Sequence, residues 1–576
     1  MAPKDGPTTD APVWGITSDE MRNAVQRFFL PTKDPNLVRT PRTAQMEGDL
    51  WLALTVWLGF VVILYRIVVK PFLEKRRAGF TIDDVHPPGS NGKACTVVVL
   101  GDFGRSPRMQ QHALALAECG ALVTVVAHGG TAPHRRVREH ARIVMCEIEP
   151  FVLPAALPAL AALPLKAIAQ AASLLLALGT RAPRADVVLV QNPPAIPTLA
   201  VALVVCAMRG ARLVIDWHNF GYTVLRVSLL ARRGLPARAR LGAGARALVA
   251  AAEAYERACA VFAAEHLCVS AAMADELRTG WHVRATVLRD RPPAAFAPLD
   301  VGARHDVLCR LQHPPPPAPP TPSAGPRAPE PAHASGLLDR LHPPLPVSLA
   351  LAAEPRGARS FATELVGSPA RAVLRADRPA VVLTGTSWGA DEDYTILLRA
   401  LAIIDALPDA RPDGRARPRV VVLVTGQGPL RERFEADVRE MALTRVHVGT
   451  AWLSADDYPK LLACADVGVC LHASTSELDL PMKVVDLFGA GVPVCALEYG
   501  CIGELVVDGR TGALFSDAPG LARELDELLA GFPAQSARLE AMRAHVGAWR
   551  ALGWGEHWRQ VAAPVLLGGG EWRRLG

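Results

Sequence analysis

Apolar and polar positions fall into two blocks with one rhythm: a short run of valine, leucine or alanine, a loop rich in glycine or small polar residues, then a stretch with helical spacing. In the first block, ACTVVVLGDFGRSPRMQQHALALAECGALVTVVAHGG predicts strand, glycine loop, helix and strand, and the runs DVVLV at 186–190 and ARLVI at 211–215 continue the series. The second block repeats it with a strand over Ala380 to Leu383, then VVVLVTGQGPL and ADVGVCL. Near-continuous apolar strands alternating with helices are what a parallel sheet covered on both faces requires. The pattern therefore predicts two Rossmann-like, doubly wound α/β domains, an N-terminal one over 92–300 and a C-terminal one over 376–532.

The remaining segments break the rhythm. Residues 1–49 are polar with several prolines and predict a tail without a secretory signal. Leu50 to Tyr65 holds sixteen residues without a charge. If Arg66 reaches the headgroups, the apolar stretch extends over 50–69, about 30 Å of helix, enough for one transmembrane span. A buried helix is the alternative, but Trp51, Trp57 and Tyr65 suit interfacial positions. Arg66, Lys70, Lys75, Arg76 and Arg77 follow the span and place the C-terminal side in the cytosol. Phe151 to Gly179, with Lys166 as its one charge and prolines at 154, 158 and 164, predicts either a segment lying on the bilayer or a buried helix. Residues 301–375 are read as a linker around the proline-rich insertion PPPPAPPTPSAGPRAPEP, and 533–576 as a C-terminal helical segment.

Composition narrows the classes. At 576 residues and 50% hydrophobic, the chain has ample material for two cores. A net charge of +6, spread along the chain, gives no nucleic-acid footprint and suits an anionic leaflet. Its eleven cysteines, mostly in apolar runs, read as reduced core thiols.

Chemistry concentrates in a few strand-end loops. HASTSELDLPMKVVDLFGAGVPV, from His472 to Val494, joins small polar residues to a helix start at Leu480-Pro481-Met482, where unpaired amides attract phosphate. Lys483 adds a cation in the first turn and Asp486 can accept from ribose hydroxyls; a surface i, i+3 pair is the plainer reading. Gly101 to Arg108 opens a helix, with Gly104 allowing close approach and Arg105 and Arg108 able to meet a diphosphate, or it is simply a turn. Asp216 or His218, in IDWHNFGY, could take a proton from an attacking hydroxyl; the alternative makes Asp216 an N-cap and His218 a packing residue. Thr386, Ser387 and Trp388, with Gly426 in the next strand-end loop, could hold a diphosphate. Asp391, Glu392 and Asp393 read as N-cap and first-turn residues rather than metal ligands.

Six short motifs occur in order: GDFGRSPRMQQHA, IDWHNFGY, WLSADDY, LDLPMKVVD, GVPVCA and the terminal WGEHW. Together they resemble the chitobiosyldiphosphodolichol β-mannosyltransferases, glycosyltransferase family 33. The resemblance implies a GT-B fold, two domains facing a cleft with the C-terminal helix returning to the first. It further implies transfer from GDP-mannose to dolichol-linked chitobiose by inversion at the cytosolic face of the endoplasmic reticulum membrane, with neither metal nor cofactor. Donor contacts are then expected from Thr386, Ser387, Trp388, Gly426, Leu480, Pro481, Met482, Lys483 and Asp486, and acceptor-side phosphate contacts from Gly104, Arg105 and Arg108. Other mannosyltransferases of the pathway are candidate partners. Gln427 replaces a usual lysine, and Arg289 precedes Asp290 where an aromatic is usual. Competing readings keep the fold with another nucleotide sugar or lipid acceptor, or make the chain a non-catalytic membrane scaffold.

Overall fold

The computed structural model describes residues 93–149, 159–232, 239–312, 338–346, 349, 357–389, 392–534 and 536–568. The expected tail over 1–49, the transmembrane helix over 50–69 and the proline-rich core of the insertion lie outside the described residues. Contacts divide the chain into two units, one ending at Leu288 and regaining Trp558 onward, the other Arg289–His557.

The first unit is built on a seven-stranded sheet of order β3-β2-β1-β4-β5-β6-β7. Its strands are β1 (Ala94–Asp102), β2 (Leu122–His128), β3 (Ile143–Ile148), β4 (Val187–Asn192), β5 (Arg212–Trp217), β6 (Glu265–Cys268) and β7 (Thr286–Val287). All its pairings are parallel. Helices α1 (Pro107–Glu118), α2 (Ala159–Leu176), α3 (Thr198–Arg209), α4 (Gly221–Ala231), α5 (Ala243–Phe262) and α6 (Ala271–Gly280) connect the strands. The middle strands are apolar throughout because both faces are covered: Val97, Val98, Leu189, Val190, Val214 and Ile215 are all buried.

In the second unit a six-stranded parallel sheet runs β12-β11-β10-β13-β14-β15. It comprises β10 (Ala380–Gly385), β11 (Val420–Thr425), β12 (Val446–Ala451), β13 (Val467–Cys470), β14 (Val494–Leu497) and β15 (Gly512–Phe515). The helices here are α7 (Val301–Gln312), α8 (Tyr394–Ala406), α9 (Arg431–Glu440), α10 (Tyr458–Leu462), α11 (Met482–Gly489), α12 (Ala518–Leu528) and α13 (Ala537–Arg550), followed by α14 (Trp554–Leu567). Under the sheet, Asp466 is fully buried and accepts from both Arg378 terminal nitrogens, the Val381 amide and Arg543. A buried carboxylate persists there because every lone pair has a donor.

Two boundaries differ from expectation. The first unit ends at Leu288, not 300, because the following segment packs on the second: Arg289 pairs with Glu504 at 3.0 Å, and Pro292 and Phe296 fill the space over Gly489. The region 301–375 is not a plain linker, since it contains α7 and an antiparallel hairpin, β8 (Thr363–Val366) with β9 (Arg371–Leu374). His305 anchors α7 by bonding Thr363 Oγ1 at 2.9 Å and the Gly357 carbonyl at 2.8 Å.

Within the segment expected on the bilayer, residues 150–158 lie outside the described residues, and α2 forms despite Pro164. One side of α2 is core, with Ala171, Leu174 and Leu175 buried, while Leu165, Ile168 and Leu176 are 45%, 38% and 57% exposed. The buried-helix reading thus describes one face, and the other face is apolar and exposed. Among the described residues no helix is long and apolar enough to cross a membrane.

Candidate active site

Ligands of open α/β sheets bind beyond the carboxyl ends of the strands, where the strand order reverses. In the first unit that point lies between β1 and β4. Ser106 Oγ, after β1, donates to Gln191 Oε1 at the end of β4 at 2.6 Å and ties the two exits together. Asp102 accepts from the Gly104 and Thr131 amides and the Thr131 hydroxyl, which folds the loop onto the β2 exit. Gly104 is required by that fold: a Cβ there would sit 2.1 Å from the Thr131 carbonyl oxygen. Gly104, expected as a ligand contact, packs here against the neighbouring loop.

Arg108 also departs from expectation. It is buried, with Nε and Nη2 donating to the two oxygens of Asp216 at 2.8 Å each and Nη1 donating to the Leu288 carbonyl at 2.9 Å. A guanidinium so engaged is not presented to a phosphate. Arg105, by contrast, is 80% exposed, held loosely by Thr131 Oγ1 at 3.2 Å.

Asp216 ends β5 and is fully buried. Its Oδ2 also faces His218 Nε2 at 2.8 Å and His112 Nε2 at 3.2 Å. Burial alone would raise its pKa, but Arg108 foremost, then His218 and His112, hold it well below the ordinary carboxylate range. Asp216 is thus enclosed and weakly basic. His218 is the member of the cluster that reaches the surface, with 21% of its side chain accessible. Its Nε2 is the nitrogen turned to Asp216, which leaves Nδ1 as the other ring nitrogen.

The loop carrying His218 is fixed by a residue that sequence reasoning missed. Glu256, on α5, is fully buried; its Oε1 accepts from Asn192 Nδ2 at 2.9 Å and the Gly221 amide at 2.8 Å, and its Oε2 from the Tyr222 amide at 2.9 Å. A carboxylate against the first amides of α4 is favoured by the helix dipole. Burial nonetheless pushes its pKa up to about 6, against the lowering by these donors. Nothing in the alanine-rich α5 sequence announced it. His112 was likewise missed, although its i, i+4 spacing from Arg108 puts both on one face of α1.

In the second unit the strand order reverses between β10 and β13, and both exits converge on Glu392. Glu392 is buried and pairs in a short backbone bridge with His472, just beyond β13. Its Oε2 accepts from Thr386 Oγ1 at 2.6 Å and Tyr394 OH at 2.8 Å, while Oε1 takes the Lys483 ammonium. Burial would raise the Glu392 pKa, but Lys483 and the two hydroxyls lower it, so the pair is ionic. Lys483 stands in the first turn of α11 with a quarter of its side chain exposed, and no side chain caps that turn. Of the acidic trio, Asp393 caps α8 as expected by accepting from the Thr395 amide at 3.0 Å, Glu392 serves Lys483 instead, and Asp391 lies outside the described residues.

The other expected donor contacts divide. Ser387 is exposed at the β10 exit, whereas Thr386 spends its hydroxyl inside the Glu392 cluster. Trp388 is fully buried between Tyr394 and Phe434, with ring centroids 5.1 Å from each, so it is a core residue rather than a ligand surface. Gly426, at φ +142°, lies against Thr386, and a Cβ would come within 1.8 Å of its carbonyl oxygen. That glycine, like Gly104, serves a loop-to-loop contact. Leu480 and Pro481 are buried at the α11 start and Met482 is half-buried. Asp486, one turn past Lys483, is half-buried; desolvation first, and the charge of Asp290 second, raise its pKa to about 7.

The chain's relatives agree with this architecture. Residues 103–294 match the family model of the glycosyl transferase 4-like domain, and residues 378–531 that of glycosyl transferases group 1. The chain is 38% identical over 494 residues to the UDP-glycosyltransferase TURAN of Arabidopsis thaliana, covering 83% of this chain and 98% of that one. It is 35% identical over 479 residues to the chitobiosyldiphosphodolichol beta-mannosyltransferase of Homo sapiens, covering 83% and 94%, and 36% identical over 470 residues to that of Mus musculus, covering 82% and 88%. Among solved structures, sucrose-phosphate synthase of Thermosynechococcus elongatus aligns over 83% of this chain and all of its own, with TM-score 0.52 at 15% identity, which supports the GT-B fold. By these relatives and its two parallel-sheet units, the chain belongs to the chitobiosyldiphosphodolichol beta-mannosyltransferases, a family of GT-B glycosyltransferases.

Proposed function

We propose that the protein transfers mannose from GDP-mannose to chitobiosyl-diphosphodolichol, forming a β1,4 linkage with inversion. The observation that carries the donor half is Lys483, a partly exposed ammonium at an uncapped helix start, held by a buried glutamate. As the bond from the anomeric carbon to the diphosphate breaks, negative charge grows on the leaving oxygen. Lys483 and the first amides of α11 meet it without reorganising. Asp486, one turn further on, accepts from the ribose.

On the acceptor half, His218 Nδ1 takes the proton of the attacking sugar hydroxyl while Nε2–H stays on Asp216. The carboxylate is already neutralised by Arg108, so Asp216 acts mainly by fixing the ring and its tautomer. Single displacement gives inversion, with no covalent enzyme intermediate and no metal or cofactor in the scheme. Exposed Arg105 is left to meet a phosphate of the acceptor.

We place the enzyme on the cytosolic face of the endoplasmic reticulum membrane, held by a span over 50–69 and by the apolar stripe Leu165, Ile168 and Leu176 of α2. The test is transfer from radiolabelled GDP-mannose to a synthetic lipid-linked chitobiose, with and without chelator. Chelator-resistant product that disappears in His218→Ala and Lys483→Ala is expected; product from either variant at the wild-type rate would overturn the assignment. A second reading, a uridine-nucleotide donor, is favoured by the name of the Arabidopsis relative. Product from a UDP-sugar but not from GDP-mannose would select it.

A further inference from the structure

The last helix reaches the Asp216 cluster from behind. Trp558, fully buried on α14, donates its indole Nε1–H to His112 Nδ1 at 2.9 Å, with the two rings edge-on at 6.3 Å between centroids. Indole nitrogen can only donate, so His112 Nδ1 must be the acceptor and its proton must sit on Nε2. That nitrogen lies 3.2 Å from Asp216 Oδ2, a close electrostatic contact without the alignment of a hydrogen bond, at the same oxygen that His218 Nε2 reaches at 2.8 Å. Burial lowers the pKa of His112, consistent with a neutral ring.

We propose that Trp558 and His112 are positioning residues for His218: the indole fixes the His112 tautomer, and His112 holds the Asp216 oxygen against which His218 is oriented. The inference rests on His218 being the base. Without the indole donor, His112 can place its proton on Nδ1 and turn an acceptor toward Asp216. Two lone pairs would then face each other beside the one bond that orients His218, an arrangement that buried groups avoid by shifting.

The experiment is a double-mutant cycle on the full chain with Trp558→Phe, which keeps the ring and removes the donor, and His218→Ala. Trp558→Phe is expected to lower kcat about tenfold, the cost of one misdirected hydrogen bond, with KM for both substrates unchanged. In the His218→Ala background the same substitution is expected to change the residual rate by less than twofold, because the group it positions is gone. A merely structural role would cost the same factor in both backgrounds and would overturn the inference. Nitrogen-15 histidine spectra give a readout free of activity: His112 is expected as the Nε2–H tautomer in wild type and as a mixture in Trp558→Phe. An unchanged tautomer overturns the proposal. If His218→Ala itself retains activity, the base assignment falls, and that failure is distinct from a wild-type kcat in Trp558→Phe alongside an inactive His218→Ala. His112→Asn is a second variant, expected to keep part of the rate because its amide can still donate to Asp216.

Discussion

The two units solve one problem in opposite sign. Each uses a buried carboxylate at the carboxyl end of its sheet to hold a partly exposed nitrogen: Asp216 holds His218, and Glu392 holds Lys483. In the first unit, a buried guanidinium pairs with the carboxylate, which takes the inner nitrogen of an imidazole whose outer edge stays partly exposed. In the second, two hydroxyls pin the carboxylate and the lysine itself is its counterion. What emerges there is a cation that an arriving anion must share. One arrangement suits taking a proton and the other suits meeting a diphosphate, although the sheets beneath are alike.

Breaking the two clusters should therefore have unequal consequences. Asp216→Ala strands a buried Arg108, and loss of one partner of a buried pair costs about 3–5 kcal/mol; thermal unfolding should show the first unit melting early. Glu392→Ala leaves a lysine that can turn to water, so the cost should be smaller, about 1–2 kcal/mol. Equal destabilisation by the two variants would mean that the difference in enclosure carries no energetic weight.

Activity should separate the units in another way. His218→Ala is expected to lower kcat by roughly 10²- to 10⁴-fold, as for loss of a general base, while leaving GDP affinity in the second unit unchanged. Lys483→Ala is expected to lose roughly 10²- to 10³-fold in rate, the scale of a lost charge stabiliser, and to weaken GDP binding as well. Glu392→Gln sharpens the point: it removes the competing counterion, so GDP should bind severalfold tighter at low salt while kcat falls. Weaker GDP binding in that variant would show that the carboxylate positions the lysine without restraining its charge.

How legible these clusters were depends on what kind of residue they contain. Parallel strands and their exits were plain in the runs of valine and leucine, because a strand buried on both faces has no polar alternation to blur. His218 and Lys483 could be singled out too, the one in a loop near Gly221 and the other in the first helical turn after Pro481. Their partners were not. Glu392 looked like one more acid before a helix, and its distinction is a backbone bridge to His472, eighty positions away in the chain. Glu256 lies mid-helix among alanines, and only the packing of α5 beneath the β4 and β5 exits reveals it. Arg108 and Trp388 misled for the converse reason: a cation and an aromatic near a glycine loop look like ligand contacts, and only burial shows that one neutralises Asp216 and the other fills the core. Gly104 was expected to let a ligand approach and Gly426 to contact the donor; in the structure the group against each is the neighbouring loop.

The smallest expected effect concerns Asp486, whose pKa is raised to about 7 by burial and by Asp290. A carboxyl raised in the folded state binds more protons there than in the unfolded chain, so its contribution favours folding at low pH and is lost as pH rises between about 4 and 7. Asp486→Asn should flatten the pH dependence of stability in that window, with the largest gain near neutrality. If ribose hydroxyls donate to this carboxylate, the nucleotide favours its ionised form and lowers the pKa on binding. At pH 7, where about half of these carboxyls are protonated, GDP binding should then release up to about half a proton per site, measurable as a dependence of the calorimetric enthalpy on the ionisation enthalpy of the buffer. The release should vanish in Asp486→Asn and persist in His218→Ala, because the proton belongs to the second unit alone. Equal release from wild type and Asp486→Asn would move the ribose contact elsewhere and leave Lys483 as the sole charged donor contact read from α11.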